Sequence, residues 1–346
     1  MIKAICLGRT TFDINLSLPQ APVEGSTNEF FDSVGNIGGS AAIMALCLSK
    51  WGINASLATV LGNDVNGTRV RKELDRAHID TRYIEPSYEI DTPLSVIINN
   101  QSNHRNTIYN ITAKYIGLKK CDFDFTPELI CIDGYDSVQA KNLLERFPKS
   151  LTVLDATIPT APVFELVKKA KYAVCSKEFA EIASGERIDF QQPETLVNVY
   201  QKLKKKYLNT EFVVTLGERG ALYSINNQIK ITPALKTEVL DTHGCGQIFR
   251  AAFAHTLVLG GDIEKATKIG CIAAGLATTK VGAAESIPTL EEITNIYEQN
   301  YSWSIYFPFS PSRYSWRNFS NMYCCNKCFY KRKYYLKKEE YNYYSW

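Results

Sequence analysis

"DTHGCGQIF", residues 241–249, sets two glycines around a cysteine at the head of a helical pattern, with a glutamine one step further in. The positions that follow, Phe249, Ala252, Phe253, Thr256 and Leu257, recur at helical spacing until Gly260-Gly261 supplies a stop signal. The stretch therefore predicts a loop that feeds a helix beginning near Gly246. The first turn of such a helix presents unpaired N–H groups and the positive end of its dipole to the loop. A phosphate suits that place. A tight turn that needs glycine for backbone reasons alone is the competing reading. Neither the Walker pattern nor a Rossmann glycine fingerprint is present.

Outward from this junction, short apolar runs alternate with longer helical patterns. "KAICLG", "ASLATVLG", "LICIDGY", "SLTVLDA", "YAVCS" and "EFVVTLG" read as buried strands, while "SAAIMALCLSKWG", "SVQAKNLLERF" and "PETLVNVYQKLKKKY" repeat apolar positions at helical spacing. This alternation predicts an α/β fold with a mainly parallel sheet covered on both faces. In such folds ligands sit at the carboxyl ends of the strands, where the 241–249 loop falls. Two insertions break the rhythm, residues 11–34 and residues 86–115. Both are rich in β-branched and aromatic residues with Asn, Gly and Pro turns, which favours short strands. Together they predict a small sheet over the main one, acting as a lid; two unrelated surface hairpins are the alternative.

The 346 residues are 45% hydrophobic and 22% charged with a net charge of +3, enough for a sizeable core and unlike a disordered chain. Residues 302–346 carry eight Lys or Arg against two Glu, a net of +6 that leaves −3 for the rest, together with nine of the twenty tyrosines. Their composition departs from everything before them, so a boundary is expected near Asn300, with residues 299–346 an atypical basic aromatic tail. Nucleic acid or a membrane surface is the weakest of the functional readings, carried by that tail alone. The ten cysteines are scattered, the opening "MIKAICLGRT" lacks the pattern of a signal peptide, and no run approaches the roughly 18 apolar residues of a membrane span. Reduced thiols and a cytoplasmic protein are expected. His78, His104 and His255 have no spacing that groups them as metal ligands, and "CCNKC" (Cys324, Cys325, Cys328) has no companion cluster.

The order and wording of these segments resemble the ribokinase-like (PfkB) family of carbohydrate and nucleoside kinases over nearly all of residues 1–298. That family typically reads D-T-x-G-A-G-D near its carboxyl end, where this chain reads "DTHGCGQ". Its glycine pair followed by small residues and an Asn resembles "GGSAAIMA", with Ile43 at the Asn. "LGNDVNG", "VVTLGERGALY", "YAVCSKEFAEIASG" and "AAGLATTKVGAAESIPTLEEI" are further matches in the right order. The resemblance implies a three-layer sandwich with a mainly parallel sheet and a small β lid, and ATP with Mg2+ as cofactors. It implies phosphorylation of a sugar or related hydroxyl compound, and a homodimer through the lid strands.

Carried over residue by residue, Asp13 resembles the carboxylate that holds acceptor hydroxyls, and Gly38 and Gly39 the pair that admits the substrate to the backbone. Thr215, Gly217 and Gly220 resemble the lining of the ATP site, joined by Asp241 and Thr242 at the opening of the motif. Gly244, Cys245 and Gly246 resemble the anion hole for the transferring phosphoryl group. Glu178 matches a region that helps place magnesium through water, and Arg105, in the lid, is the candidate to reach an anionic substrate. In the family the residue at Gln247 is an Asp that takes the proton of the acceptor hydroxyl. An amide has no basicity for this. Two readings follow: a working kinase whose base is replaced or relocated, and a catalytically inactive fold that binds nucleotide or sugar in a regulatory or partner role.

Overall fold

The computed structural model describes residues 1–30, 32–111 and 116–301; the expectations about residues 302–346 lie outside them. In chain order the strands are β1 (Lys3–Leu7), β2 (Thr11–Leu18), β3 (Asp32–Gly38), β4 (Asn54–Gly62), β5 (Ile84–Ser87), β6 (Leu94–Asn100), β7 (Arg105–Ile111), β8 (Leu129–Ile132), β9 (Leu151–Ala156), β10 (Tyr172–Ser176), β11 (Glu211–Thr215), β12 (Ala221–Ile225) and β13 (Gln228–Thr232). The helices are α1 (Ser40–Lys50), α2 (Val65–Arg76), α3 (Ser137–Arg146), α4 (Ala161–Val167), α5 (Lys177–Ser184), α6 (Glu194–Lys206), α7 (Cys245–Val258), α8 (Ile263–Ala277) and α9 (Leu290–Tyr301).

Nine strands form the main sheet in the order β13-β12-β11-β10-β9-β8-β1-β4-β5. Pairing from β5 to β11 is parallel, and β12 and β13 add an antiparallel edge. Both faces are buried, which is why the strands read as unbroken apolar runs. Ala4 and Cys6 of β1, with Leu129 and Cys131 of β8, join the core under α1, α7 and α8. Ile5, Leu7, Ile130 and Ile132 join the second core, closed by α3 to α6. From β1 the chain reaches β4 and β5 on one side, and then β8 onward on the other. The crevice at the carboxyl ends of β1 and β8 is thus the topological switch point where such sheets bind ligands.

The two insertions form one four-stranded sheet in the order β3-β2-β6-β7, with β2 and β6 parallel and the outer pairs antiparallel. The lid expectation holds over the two hairpins because β2 and β6 bridge them in register, Asp13 opposite Ser95 and Ser17 opposite Asn99. Along β2, Asp13 and Asn15 are buried, and so are Ser95 and Asn99 of β6. One face of this sheet is therefore polar and withdrawn from solvent. β5, within which the second insertion begins, pairs instead with β4 of the main sheet. Among the described residues no helix is long and apolar enough to cross a membrane, and the seven described cysteines are free thiols.

Candidate active site

The head of α7 is built as the sequence predicts. Gly244 is its N-cap, in the left-handed region at φ 81, and no side chain among the described residues caps the helix. A Cβ on Gly244 would lie 2.5 Å from that of Ala283, so only glycine fits. The amides of Gly246 and Gln247 find no main-chain acceptor among the described residues, and the helix dipole adds positive potential there. Behind this turn stands Arg250, 3% exposed, whose Nη1 comes within 2.8 Å of where a Cβ on Gly246 would be. Its Nε pairs with Asp155 Oδ1 at 3.0 Å. Asp155 in turn accepts hydrogen bonds from Ser40 Oγ at 2.6 Å and Thr157 Oγ1 at 2.8 Å. A charged residue within the apolar run "IFRAAFA" was the available signal for Arg250. Burial pushes the Cys245 thiol up to about 12, with Asp241 adding to it, so this residue offers packing rather than a thiolate, and its amide donates to the Thr242 carbonyl at 3.4 Å.

Asp13 on β2 meets the same loop. It is 2% exposed, and its Oδ2 lies 3.0 Å from His243 Nε2 while Thr11 Oγ1 donates to Oδ1 at 2.5 Å. Gly38 and Gly39 make room for this arrangement: a Cβ on Gly38 would fall 1.9 Å from Asp13 Oδ2, and Gly39, at φ 88, abuts the Arg9 carbonyl. Asp241 is a tie. Its carboxylate accepts from the His243 amide at 2.8 Å, the Gly282 amide at 2.8 Å and Asn106 Nδ2 of β7 at 2.7 Å. Thr242 Oγ1 is within 3.3 Å of the same Asn106 nitrogen. Asn36 of β3 donates to Glu285 Oε2 at 2.7 Å. Lid, the 241–243 loop and the 282–285 segment are thereby linked by Asp13, Asn36 and Asn106. Asn106 and Glu285 escaped the sequence reading because their partners are remote in the chain.

At the switch point Gly8 lets the Asp133 carboxylate close up against the main chain, since a Cβ there would sit 2.0 Å from Oδ1. Asp133 accepts from the amides of Arg9 and Tyr135 at 2.7 and 3.0 Å. Burial pushes its carboxyl up to about 7, with Asp155 also raising it, against these bonds and the Arg9 charge. Arg9 donates from Nη1 to the Tyr135 hydroxyl at 3.1 Å. Its Nη2, with Thr10 Oγ1, both polar atoms of Asn15, Asn99 Oδ1 and Asn106 Oδ1, is buried without a hydrogen-bond partner among the described residues.

The remaining candidates lie on separate elements. Thr215 ends β11 and donates to the Cys175 carbonyl at 3.2 Å. Gly217 and Gly220 turn the chain at φ 60 and 93, and a Cβ on Gly220 would strike the Thr232 carbonyl oxygen at 1.9 Å. Glu178 is exposed in the first turn of α5, which follows directly from β10. Ile43, 1% exposed, packs in the core beneath the first turn of α1. Arg105 is exposed at the start of β7, and its neighbour Asn106 is the lid residue that bonds the loop. At the opposite edge of the sheet, in a groove lined by Lys3, Asp80, Arg82 and Asp124, Arg82 bonds Asp80 at 2.8 Å and Asp124 at 3.1 Å, and Lys3 Nζ lies 5.2 Å from the centre of the Phe125 ring.

The family model for "pfkB family carbohydrate kinase" matches residues 1–290. The chain belongs to this family. It is 26% identical over 304 residues to a deoxyribokinase of Salmonella typhi, covering 85% of this chain and 98% of the relative. It is 23% identical over 308 residues to a nucleoside kinase of Methanocaldococcus jannaschii, with 87% and 98% covered. Among solved structures, a putative ribokinase from Agrobacterium tumefaciens superposes with a TM-score of 0.78 at 22% identity, over 88% of this chain and 99% of that one. The ribokinase of Arabidopsis thaliana complexed with ribose and ATP gives 0.69 at 20% identity, over 85% and 98%. At these identities the structures speak for the fold, a ribokinase-like sandwich with a smaller sheet as lid. Within that fold the relatives are sugar and nucleoside kinases.

Proposed function

We propose that the chain transfers a phosphoryl group from ATP to a hydroxyl of a sugar or nucleoside, where the lid meets the head of α7. The observation that carries this reading is the set of unpartnered buried polar atoms on Arg9, Thr10, Asn15, Asn99 and Asn106 around the Asp13 side of the lid. Each such group costs about 1–3 kcal/mol when left unpaired, and a polyhydroxyl acceptor can relieve several at once. On the donor side, the uncapped first turn of α7 with Arg250 behind it suits a phosphoryl group whose charge is met by fixed donors. Thr215, Gly217, Gly220 and Thr242 are the residues proposed to line the nucleotide. Among the described residues no three metal-ligating side chains cluster. Magnesium would therefore come on the phosphates of the nucleotide and offset their charge, with Glu178 the residue to hold its waters. The ribose and ATP complexed with the Arabidopsis ribokinase, together with the deoxyribokinase of Salmonella and the nucleoside kinase of Methanocaldococcus among the relatives, support this substrate class.

Gln247 favours a second reading, a chain that binds nucleotide or sugar without turnover and acts through a partner, because a general base is worth roughly 10²–10⁴ in rate. A coupled assay of ADP release against ribose, deoxyribose, other pentoses and nucleosides, with calorimetry for ATP and ADP, separates the two. Acceptor-dependent release supports the kinase; binding without release supports the inactive fold. Neither binding nor release contradicts both. The exposed Ile108, Tyr109 and Ile111 of β7 support a homodimer through the lid, which a monomeric mass by light scattering would contradict.

A further inference from the structure

We propose that His243, held by Asp13, is the general base that removes the acceptor proton in place of the carboxylate absent at Gln247; this rests on the kinase reading above. The acceptor hydroxyl must lose its proton as it attacks, and an amide at Gln247 cannot take it. Few titratable groups are joined to this loop. Asp241 has its carboxylate occupied by three N–H donors. Glu285 accepts from Asn36; burial raises its pKa, Glu73 adds to that, and the His243 charge opposes it. Asp13 is engaged by Thr11 and by His243 itself.

His243 is different. Its side chain is 12% exposed, its amide is fixed by Asp241, and only Nε2 is bonded, leaving Nδ1 without a partner among the described residues. A carboxylate accepting from Nε2–H selects the tautomer in which Nδ1 is the basic nitrogen, and stabilises the imidazolium that forms. In the step, the acceptor O–H proton passes to Nδ1 and the acceptor oxygen bonds the terminal phosphorus of ATP. The bond from that phosphorus to the bridging oxygen breaks and ADP leaves. The imidazolium then returns its proton to solvent.

The test uses the full chain, with ATP and whichever acceptor of the panel turns over fastest. His243→Asn is expected to lower kcat by about 10²-fold or more, to leave the ADP Kd unchanged, and to abolish the acid limb of the pH–rate profile. Adding Gln247→Asp to His243→Asn should regain rate, because a carboxylate then stands at the helix head. Asp133, pushed up to about 7, can shape the profile as well, so the deciding observation is the loss of that limb in the variant. His243→Gln serves if the Asn variant fails to bind ADP. An active wild type with a His243 variant within about threefold of it, or with the limb intact, overturns this inference alone. A wild type that turns over no acceptor overturns it together with the kinase reading.

Discussion

At the scale of single residues, the buried charges at the carboxyl edge have consequences that can be measured. Asp133 titrates near 7 in the folded chain, whereas an unfolded Asp titrates near 3.9. Between about pH 4 and 7 the folded state therefore holds a proton that the unfolded state has released, and stability falls as pH rises through that window, by on the order of a few kcal/mol. Denaturant titrations at pH 5 and pH 8 should show this fall in the wild type and not in Asp133→Asn; an equal fall in both contradicts it. Arg250→Leu strands the Asp155 carboxylate beside Ser40 and Thr157, and should cost about 3–5 kcal/mol. Replacing Asp155 by Leu as well should recover much of that in urea unfolding. A double variant no better than the single one would show that the pair is not the cause. Glycines and the helix head at 241–249 were legible from spacing. Arg9, Asp133 and Asp155 were not, since nothing in the sequence brings the ends of β1, β8 and β9 together.

At the scale of elements, the alternation of apolar runs and helical patterns gave the parallel strands and their covering helices, because burial on both faces leaves an unmistakable continuous apolar run. The lid was legible as strand-forming composition, but the parallel pairing of β2 with β6 depends on chain segments roughly 80 residues apart and leaves no local signal. Likewise β3 runs on to Gly38, past the end of the first insertion, since Gly38 pairs with Thr11. That register explains the first glycine of the pair: with Asp13 directly against Gly38, Gly38→Ala should turn the carboxylate away from His243. The expected result is a lower kcat, because His243 loses the carboxylate that holds it, together with an acceptor KM raised about tenfold or more, roughly the loss of a charged hydrogen bond, with the ADP Kd unchanged. Unchanged KM would mean that Asp13 does not hold the acceptor.

At the scale of the whole molecule, both cores are filled by residues up to α9, to which Ile293 contributes, and the family match ends at residue 290. Truncation after Tyr301 is therefore expected to leave Tm within about 2 °C of the full chain, since terminal residues beyond a filled core add little. A large drop would mean that the basic aromatic tail packs on the core. The central claim, phosphoryl transfer at the meeting of lid and anion loop, is tested most directly by following the γ-phosphate of ATP by phosphorus NMR with ribose, deoxyribose and a nucleoside present in turn. A phosphomonoester resonance is expected to grow with ADP in equal amount, only when an acceptor is present. ATP that binds yet stays intact with every acceptor would contradict phosphoryl transfer at this site.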